Sequence, residues 1–394
     1  MLPGCRGKTL LLDLWSSRCL VVSIVARSGA VAAALALLLV GIAVGYLAAT
    51  GSRGGAATVE RPSVSTVTRT VTNTLTATVT ATRTETTTTT TSRLVVEIVD
   101  ALGRVVTLNG PAKRVVSLAP SITEEIVEMN ATGRLVGADS FSKKVPGVPA
   151  GVADVGGYWN PSAEKILSLR PDLVLACSGV PSQERLARQL EEAGTRVFFT
   201  RCDRARDWRD IEWDVEAIGR LLGAQRGAEK LVAWMESRIS GLEASLANTT
   251  RPKVALLVYL QDRGAWVAGG GTFQDTLVST AAAVNVFHGL YGWQMVSYED
   301  IVAKKPDFVV ATAPGGRDAA AKTLAKLSET PIASTSAWRT GHVCVAYGGV
   351  VDALNRPAPR AVLAAEALAS LLHPGKAAWP KELGGGFLCN RAAK

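Results

Sequence analysis

The chain is 394 residues long and 47% hydrophobic, with 43 Lys and Arg against 34 Asp and Glu, which leaves room for two domains plus appendages. The net charge of +9 is uneven: residues 1–92 hold 8 basic and 3 acidic side chains, and residues 93–394 hold 35 and 31. The part expected to fold is only mildly basic, and without a strong basic run it lacks the electrostatic footprint of a nucleic-acid binder.

The first element is Ser28–Thr50, an uncharged stretch rich in Ala, Leu and Val that is long enough to span a bilayer. Arg6, Lys8, Arg18 and Arg27 precede it against Asp13 alone, a bias that keeps residues 1–27 cytoplasmic and sends the rest outside. Residues 28–50 are therefore read as a single-pass transmembrane anchor in the cell membrane. The alternative is a cleaved signal peptide, with Ala48 and Ala49 ahead of the cut. No Cys follows the apolar stretch, which argues against a bacterial-type lipid anchor. Residues 51–92 form a Ser/Thr-rich stalk: every even position from Thr66 to Thr86 is Thr, and a Thr run continues to Thr91. Such a segment buries too little apolar surface to fold and invites O-glycosylation. A stalk needs a membrane to stand away from, which favours the retained anchor. Asn130 and Asn248 each open an N-glycosylation sequon, consistent with an external location.

Leu94–Leu108 reads as a hairpin around Leu102-Gly103, and Gly110-Pro111 breaks it. Arg114–Leu118 is a buried strand. Ala119-Pro120-Ser121 then turns sharply into a helix expected over Glu124–Met129, capped by Ser121 or Thr123, with Glu124 and Glu125 in its first turn. Leu135–Ala138, Asp172–Ala176 and Arg196–Thr200 are further strands. Trp208–Leu222 and Ala224–Leu246 carry apolar residues at helical spacing, among them Leu231, Trp234, Met235, Ile239, Leu242 and Leu246. The second of these helices would span roughly 35 Å at 1.5 Å per residue, a rigid spine between two lobes. The spacing places an amino lobe at 93–222, an interlobe helix at 223–250 and a carboxyl lobe at 251–394. The carboxyl lobe opens with the strand Val254–Tyr259 and ends in the helix Arg360–Leu372 before Pro374. Strand–helix alternation implies an α/β fold with parallel sheets.

One segment occurs twice, 135 positions apart and without a gap. Tyr158 maps onto Trp293, Ser162 onto Ser297, Glu164 onto Glu299, Ile166 onto Ile301, Pro171 onto Pro306 and Asp172 onto Asp307. Each copy reads as an aromatic loop, a Ser N-cap, a short amphipathic helix, Pro-Asp and a strand. Two similar lobes, each offering an aromatic side chain and a helix-start glutamate, suggest a clamp.

Cys177 and Cys202 fall at the ends of successive strands and are placed to bridge; Cys344 and Cys389 are left over for a second bridge, and buried free thiols are the alternative. There is no C-x-x-C, and His288, His342 and His373 are scattered, so no protein-only metal site is expected.

Residues 99–108 together with Pro111–Ser121 resemble the opening of periplasmic-type binding proteins that serve ABC importers of cobalamin, ferric siderophores and haem. Arg356-Pro-Ala-Pro-Arg360 and Leu371-Leu-His-Pro374 resemble that family's closing signature, and the likeness covers about residues 95–375. It implies two Rossmann-like α/β lobes joined by one long helix, no catalysis and no cofactor, and a monomer that receives a small-molecule ligand. Within the family, the cobalamin binders look closest, and in them aromatic side chains from both lobes clamp the corrin. The matching positions are Pro120, Phe141, Tyr158 with its neighbour Trp159, Trp266 and Trp293. Rings suit a large flat ligand because they offer wide, rigid contact at low entropy cost. Cobalamin binders often carry an aromatic where this chain has Cys177, which leaves room for haem or a ferric siderophore. Glu164 and Glu299 match the acidic residues, one per lobe, that dock the family onto arginines of the permease, which works with its ATPase. Each would also favour its own helix N-terminus.

Enzymatic readings find no G-x-S-x-G, H-E-x-x-H or Walker A loop. The Gly-rich Gly269–Phe273 lacks the Lys-Ser/Thr of a nucleotide loop and reads as a tight turn beside a cleft. Asp172 and Asp307 each follow a Pro and read as turn formers. The rival from another class is a surface enzyme or adhesion protein that reuses the two lobes.

Overall fold

The computed structural model describes residues 95–391. The cytoplasmic segment, the anchor and the stalk expected from sequence lie outside them. Among the described residues no helix is long and apolar enough to cross a membrane.

The described chain opens with the antiparallel hairpin β1 (Val96–Val99) and β2 (Val105–Leu108), whose side chains alternate between core and solvent. The amino lobe follows, in the order β3 (Val115–Ser117), α1 (Pro120–Glu128), β4 (Leu135–Ala138), β5 (Ala153–Asp154), β6 (Gly156–Gly157), β7 (Asn160–Pro161), α2 (Ala163–Ser168), β8 (Leu173–Cys177), α3 (Pro181–Glu192) and β9 (Arg196–Thr200). Its main sheet is wholly parallel, ordered β5-β4-β3-β8-β9. All five residues of β8 are buried, as expected of a strand covered on both faces.

Helix α1 differs from the sequence expectation. It starts at Pro120, whose fixed φ suits the first helical position, and neither Ser121 nor Thr123 caps it. Both hydroxyls lie inside the helix and face the core. Thr123 donates to Ser117 Oγ at 2.7 Å, and Ser121 Oγ lies 3.4 Å from Cys202 Sγ. Glu124 and Glu125 consequently fall beyond the first turn, where the helix dipole no longer favours them.

Helix α4 (Trp208–Leu222) ends at Gly223, and α5 (Gln225–Leu246) forms the spine. Ala228, Leu231 and Val232 of α5 belong to the amino-lobe core, while Met235, Leu242 and Leu246 belong to that of the carboxyl lobe. Trp234 packs against both.

The carboxyl lobe runs β10 (Lys253–Leu260), β11 (Gly264–Ala268), α6 (Phe273–Thr280), β12 (Val284–Asn285), β13 (Trp293–Ser297), α7 (Tyr298–Ala303), β14 (Phe308–Thr312), α8 (Arg317–Ser328), α9 (Ser336–Arg339), β15 (Val343–Gly348), α10 (Gly349–Asn355), α11 (Ala361–Leu372) and β16 (Gly385–Cys389). Its sheet is ordered β13-β11-β10-β14-β15-β16, with β12 beside the start of β10. This sheet is mixed, which corrects the expectation of two parallel sheets. The pairs β10–β14 and β14–β15 are parallel, whereas β10–β11, β11–β13 and β15–β16 are antiparallel. The cause is local: the chain folds straight back after Leu260, so no crossover helix intervenes between β10 and β11.

The repeated segment performs the same backbone work in each lobe. Arg170 and Lys305, each just before a proline, take left-handed φ values of 46° and 49°. A following proline disfavours the right-handed helical region there, so the helix must stop. Asp172 then accepts the N–H groups of Lys113 and Arg114 at 2.8 and 3.0 Å, and Asp307 accepts that of Lys253 at 2.8 Å. Each aspartate thus ties its copy to the residues that lead into the first sheet strand of its lobe.

Two disulfides lie among the described residues. Cys177–Cys202 links the end of β8 to the residues just after β9. Cys344–Cys389 joins directly opposed residues of β15 and the edge strand β16.

Candidate functional site: a two-lobed ligand cleft

In an open parallel α/β sheet the loops beyond the carboxyl ends of the strands build the binding crevice. Every aromatic or proline position expected in the amino lobe sits there. Pro120 follows β3 and Phe141 follows β4, while Tyr158 and Trp159 form the two-residue tip of the β6–β7 hairpin after β5. The hairpin needs Gly156, whose φ is 106° and whose missing Cβ leaves room for the Asn160 carbonyl. Phe141 is held by Asp139, a buried carboxylate that accepts the Phe141 and Ser142 N–H groups and the Ser142 hydroxyl. Burial raises the Asp139 carboxyl above its ordinary range against those hydrogen bonds.

Tyr158 and Trp159 meet edge to face at 4.6 Å but play different parts. Tyr158 is half-buried against the amino-lobe core, with its hydroxyl 3.1 Å from Cys177 Sγ. Gln183 Nε2 donates to its carbonyl at 3.0 Å and to that of Leu118 at 2.9 Å, locking the hairpin onto the sheet. Burial first, and then Asp203 beside it, hold the Tyr158 phenol well above its ordinary range, so it stays protonated. Trp159 is 63% exposed. The sequence repeat singled out Tyr158 as the ligand-facing ring, whereas the more open ring is its neighbour. A one-residue shift in a hairpin tip reverses the facing of every side chain, and the repeat carries no signal of it.

Cys177, Cys202 and Asp203 bring potential metal-ligating atoms within 4.8 Å of one another, yet the two sulfurs are already joined and only the Asp203 carboxylate remains. Cys177 lies beneath Tyr158, so the position where an aromatic was expected is roofed by a ring from the adjacent hairpin.

In the carboxyl lobe, Trp266 lies on β11 and Trp293 opens β13. Trp293 was expected in a loop, but it pairs with Ala268 in an antiparallel ladder. Trp266 is opposed by Met295 on β13 and by Tyr259 on β10. Residues two apart share a strand face, so Trp293 and Met295 stand on the same side as Trp266. Tyr259, Trp266 and Met295 are all large, apolar and exposed. The Gly-rich turn that follows is tight for a packing reason: a Cβ at Gly269 or Gly270 would strike the carbonyls of Leu290 or His288. Thr272 caps α6 by accepting the Asp275 N–H at 3.3 Å.

Several contacts tie the lobes together. Trp208 Nε1 donates to Thr280 Oγ1 at 3.0 Å, and Thr276 Oγ1 to the Arg206 carbonyl at 2.9 Å. Glu124 of α1 faces Arg356 and Arg360 ahead of α11. Glu164 and Glu299 are exposed in the first turns of α2 and α7, behind the caps Ser162 and Ser297.

A family model described as periplasmic binding protein matches residues 115–347. The chain belongs to that family. It is 30% identical over 223 residues to an ABC transporter substrate-binding lipoprotein of Bacillus subtilis, spanning 55% of this chain and 69% of that one. It is 28% identical over 279 residues to a cobalamin-binding protein of Halobacterium salinarum, spanning 70% and 73%. Among solved structures, a periplasmic haem-binding protein of Pseudomonas aeruginosa superimposes with a TM-score of 0.60 at 26% identity, covering 72% of this chain and all of that one. These relatives are binding proteins, and so is this chain: it is not an enzyme.

Tyr259 and Met295 escaped the sequence reading. The signal that finds them is the strand register, which is set by pairing and not by hydropathy.

Proposed function

We propose that this protein is the externally displayed solute-binding component of an ABC importer, that it captures a cobalamin-like metal tetrapyrrole between its lobes, and that residues 28–50 anchor it in the membrane. The observation that carries the reading is an aromatic set in each lobe: Phe141 and Trp159 in loops beyond the carboxyl ends of the amino-lobe strands, and Trp266 and Trp293 on one face of the paired strands β11 and β13. Relatives named for cobalamin and for haem support the ligand class. Rigid rings on two lobes joined by a long helix suit a wide flat ligand, because little side-chain freedom is lost when it binds. Haem is the second reading, favoured by the likeness to a haem-binding structure. Delivery to the permease runs through Glu164 and Glu299. Calorimetric titration of the purified protein with cyanocobalamin, haemin and a ferric hydroxamate tests the proposal. Saturable binding of cyanocobalamin at micromolar or lower concentration is the expected result. Binding of haemin alone selects the second reading, and binding of none of the three sinks both.

A further inference from the structure

The asparagines among the described residues divide by what their side-chain amides do. Asn285, Asn355 and Asn390 donate from Nδ2 within the fold, to Ala268 and Asp275, to Thr312 and to Trp338. Asn130 and Asn248 are exposed, and among the described residues no hydrogen bond engages either amide. These two open the tripeptides Asn130-Ala-Thr132 and Asn248-Thr-Thr250, the acceptor pattern for an N-linked glycan. Asn160 also has a hydroxyl two positions on, in Ser162, but Pro161 stands between them and closes that tripeptide to the same chemistry.

Both acceptors sit where a helix has just ended. Asn130 follows α1 with a left-handed φ of 57°. Its N–H and that of Ala131 donate to the Val127 and Ile126 carbonyls, each at 2.9 Å, which closes the helix end. The backbone is thereby fixed while the side chain stands in solvent. Asn248 lies just past the end of α5 at Leu246, and Thr250 beside it is exposed as well.

Their place in the fold follows from chain direction. Helix α1 starts at the carboxyl end of β3 and runs back to the amino edge of the sheet, where β4 begins at Leu135. Helix α5 delivers the chain to the amino end of β10 at Lys253. Asn130 and Asn248 therefore lie at the amino edge of their respective sheets. The crevice belongs to the opposite, carboxyl edge. Asn160 is exposed beside Trp159 at that crevice, and it is the asparagine that a proline disqualifies.

We infer that Asn130 and Asn248 are N-glycosylation sites, which coat the side of each lobe remote from the cleft and leave the rim at Asn160 bare. The inference rests on the external display proposed above and adds a covalent modification to it. The donor is an oligosaccharide linked through phosphate to a lipid. Asn Nδ2 forms a bond to the anomeric carbon, the bond from that carbon to the phosphate oxygen breaks, and the lipid phosphate leaves with the electron pair. The proton lost from Nδ2 passes to solvent, and nothing is oxidised or reduced. A glycan is bulky and hydrophilic, so it suits a surface where neither ligand nor permease must approach.

The test uses the full-length protein purified from its own cells, with biotin labelling of the intact cells read in parallel. Proteolysis and mass spectrometry map the peptides that contain Asn130, Asn160 and Asn248. The first and third should carry an oligosaccharide mass and the second should not. Assignment by peptide separates these from sugars on the Thr-rich residues 51–92. Thr132→Ala and Thr250→Ala keep each asparagine, and each should lose the added mass at its own site alone, whereas Thr132→Ser and Thr250→Ser should retain it. Calorimetry with cyanocobalamin and haemin should return wild-type affinity for the alanine variants. A bare asparagine at either site, in protein that biotin reaches from outside, overturns that site and leaves the external display standing. Protein that biotin does not reach, with both asparagines bare, overturns the display and the modification together. A glycan on Asn160, or an affinity that falls when a glycan is removed, overturns the division between coated side and bare rim.

Discussion

The carboxylate of Glu124 in the amino lobe accepts the backbone N–H of Arg360 in the carboxyl lobe at 3.2 Å, and the Arg356 guanidinium lies 3.8 Å from its other oxygen. Burial outweighs both arginines, while Glu128 adds a like charge, and the Glu124 carboxyl is pushed up from 4.5 to about 7. An acid raised in this way binds its proton more tightly folded than unfolded. Its stabilising contribution is whole below pH 4.5 and is lost as pH rises to about 7. The loss amounts to about 3 kcal/mol. Glu124→Gln keeps an oxygen for the Arg360 N–H and cannot ionise. Denaturant unfolding at about pH 5 and about pH 8 should show a larger loss on raising pH in wild type than in the variant. Equal losses would exclude Glu124 as the titrating group.

Beneath it, Glu125 and Asp214 form a second buried acid pair between α1 and α4. Asp214 accepts the N–H groups of Arg201 and Cys202 at 2.7 and 2.9 Å, whereas Glu125 Oε2 has no partner. Burial and the Asp214 charge push Glu125 well above its ordinary range; burial also raises Asp214, to about 7, against the two N–H groups it accepts, so Glu125 holds its proton the more tightly of the pair. Asp214→Ala should therefore cost about 2–4 kcal/mol, since the Arg201 and Cys202 N–H groups lose their shared acceptor. Glu125→Leu should stabilise by about 1 kcal/mol by replacing an unpartnered buried polar group. Chemical denaturation reads both, and an Asp214→Ala protein as stable as wild type would refute the division of roles.

Much of this architecture was legible from periodicity and repetition. The spine, the strands β3, β4, β8 and β9 and both Ser-capped helices are written in apolar spacing and in the doubled segment, and the doubled Pro-Asp proves to mark a shared left-handed turn at Arg170 and Lys305. What escaped has physical causes. β13 carries no fully buried residue, so ladder pairing to β11 holds it and hydropathy cannot see it. β16, opening on Gly385 and Gly386, is an edge strand fixed by pairing and a disulfide. Helix α1 began at its proline instead of at a hydroxyl cap. In the cleft, which of Tyr158 and Trp159 opens outward depends on a hairpin tip locked by Gln183, a residue 25 positions away.

The Cys177–Cys202 bridge closes a 25-residue separation beneath the Tyr158 hairpin, and Cys344–Cys389 closes one of 45. Loop-closure entropy assigns each about 3–4 kcal/mol. Replacing Cys177 and Cys202 together by Ser should lower stability by about that amount and also weaken ligand binding, because the tyrosine then loses its floor. Replacing Cys344 and Cys389 should lower stability alone. Paired thermal melts and ligand titrations compare the two double variants, and equal effects on affinity would detach the first bridge from the site.

Glu164 and Glu299 occupy equivalent first-turn positions, one per lobe, and both are exposed. Neither helix depends on its glutamate for capping: Ser162 accepts the Lys165 N–H, and Ser297 forms a capping box with Asp300. Reversing both glutamates to Lys opposes the helix dipoles by only about 0.3–1 kcal/mol each. Folding and ligand affinity should therefore survive, while transport through a permease that presents arginines should fall by about tenfold or more through like-charge contact. Uptake by membrane vesicles carrying the importer, measured beside calorimetry on the isolated variant, separates the two effects. If affinity falls in step with uptake, the glutamates line the cleft and do not dock; if uptake persists at wild-type rate, the permease reads some other surface of the lobes.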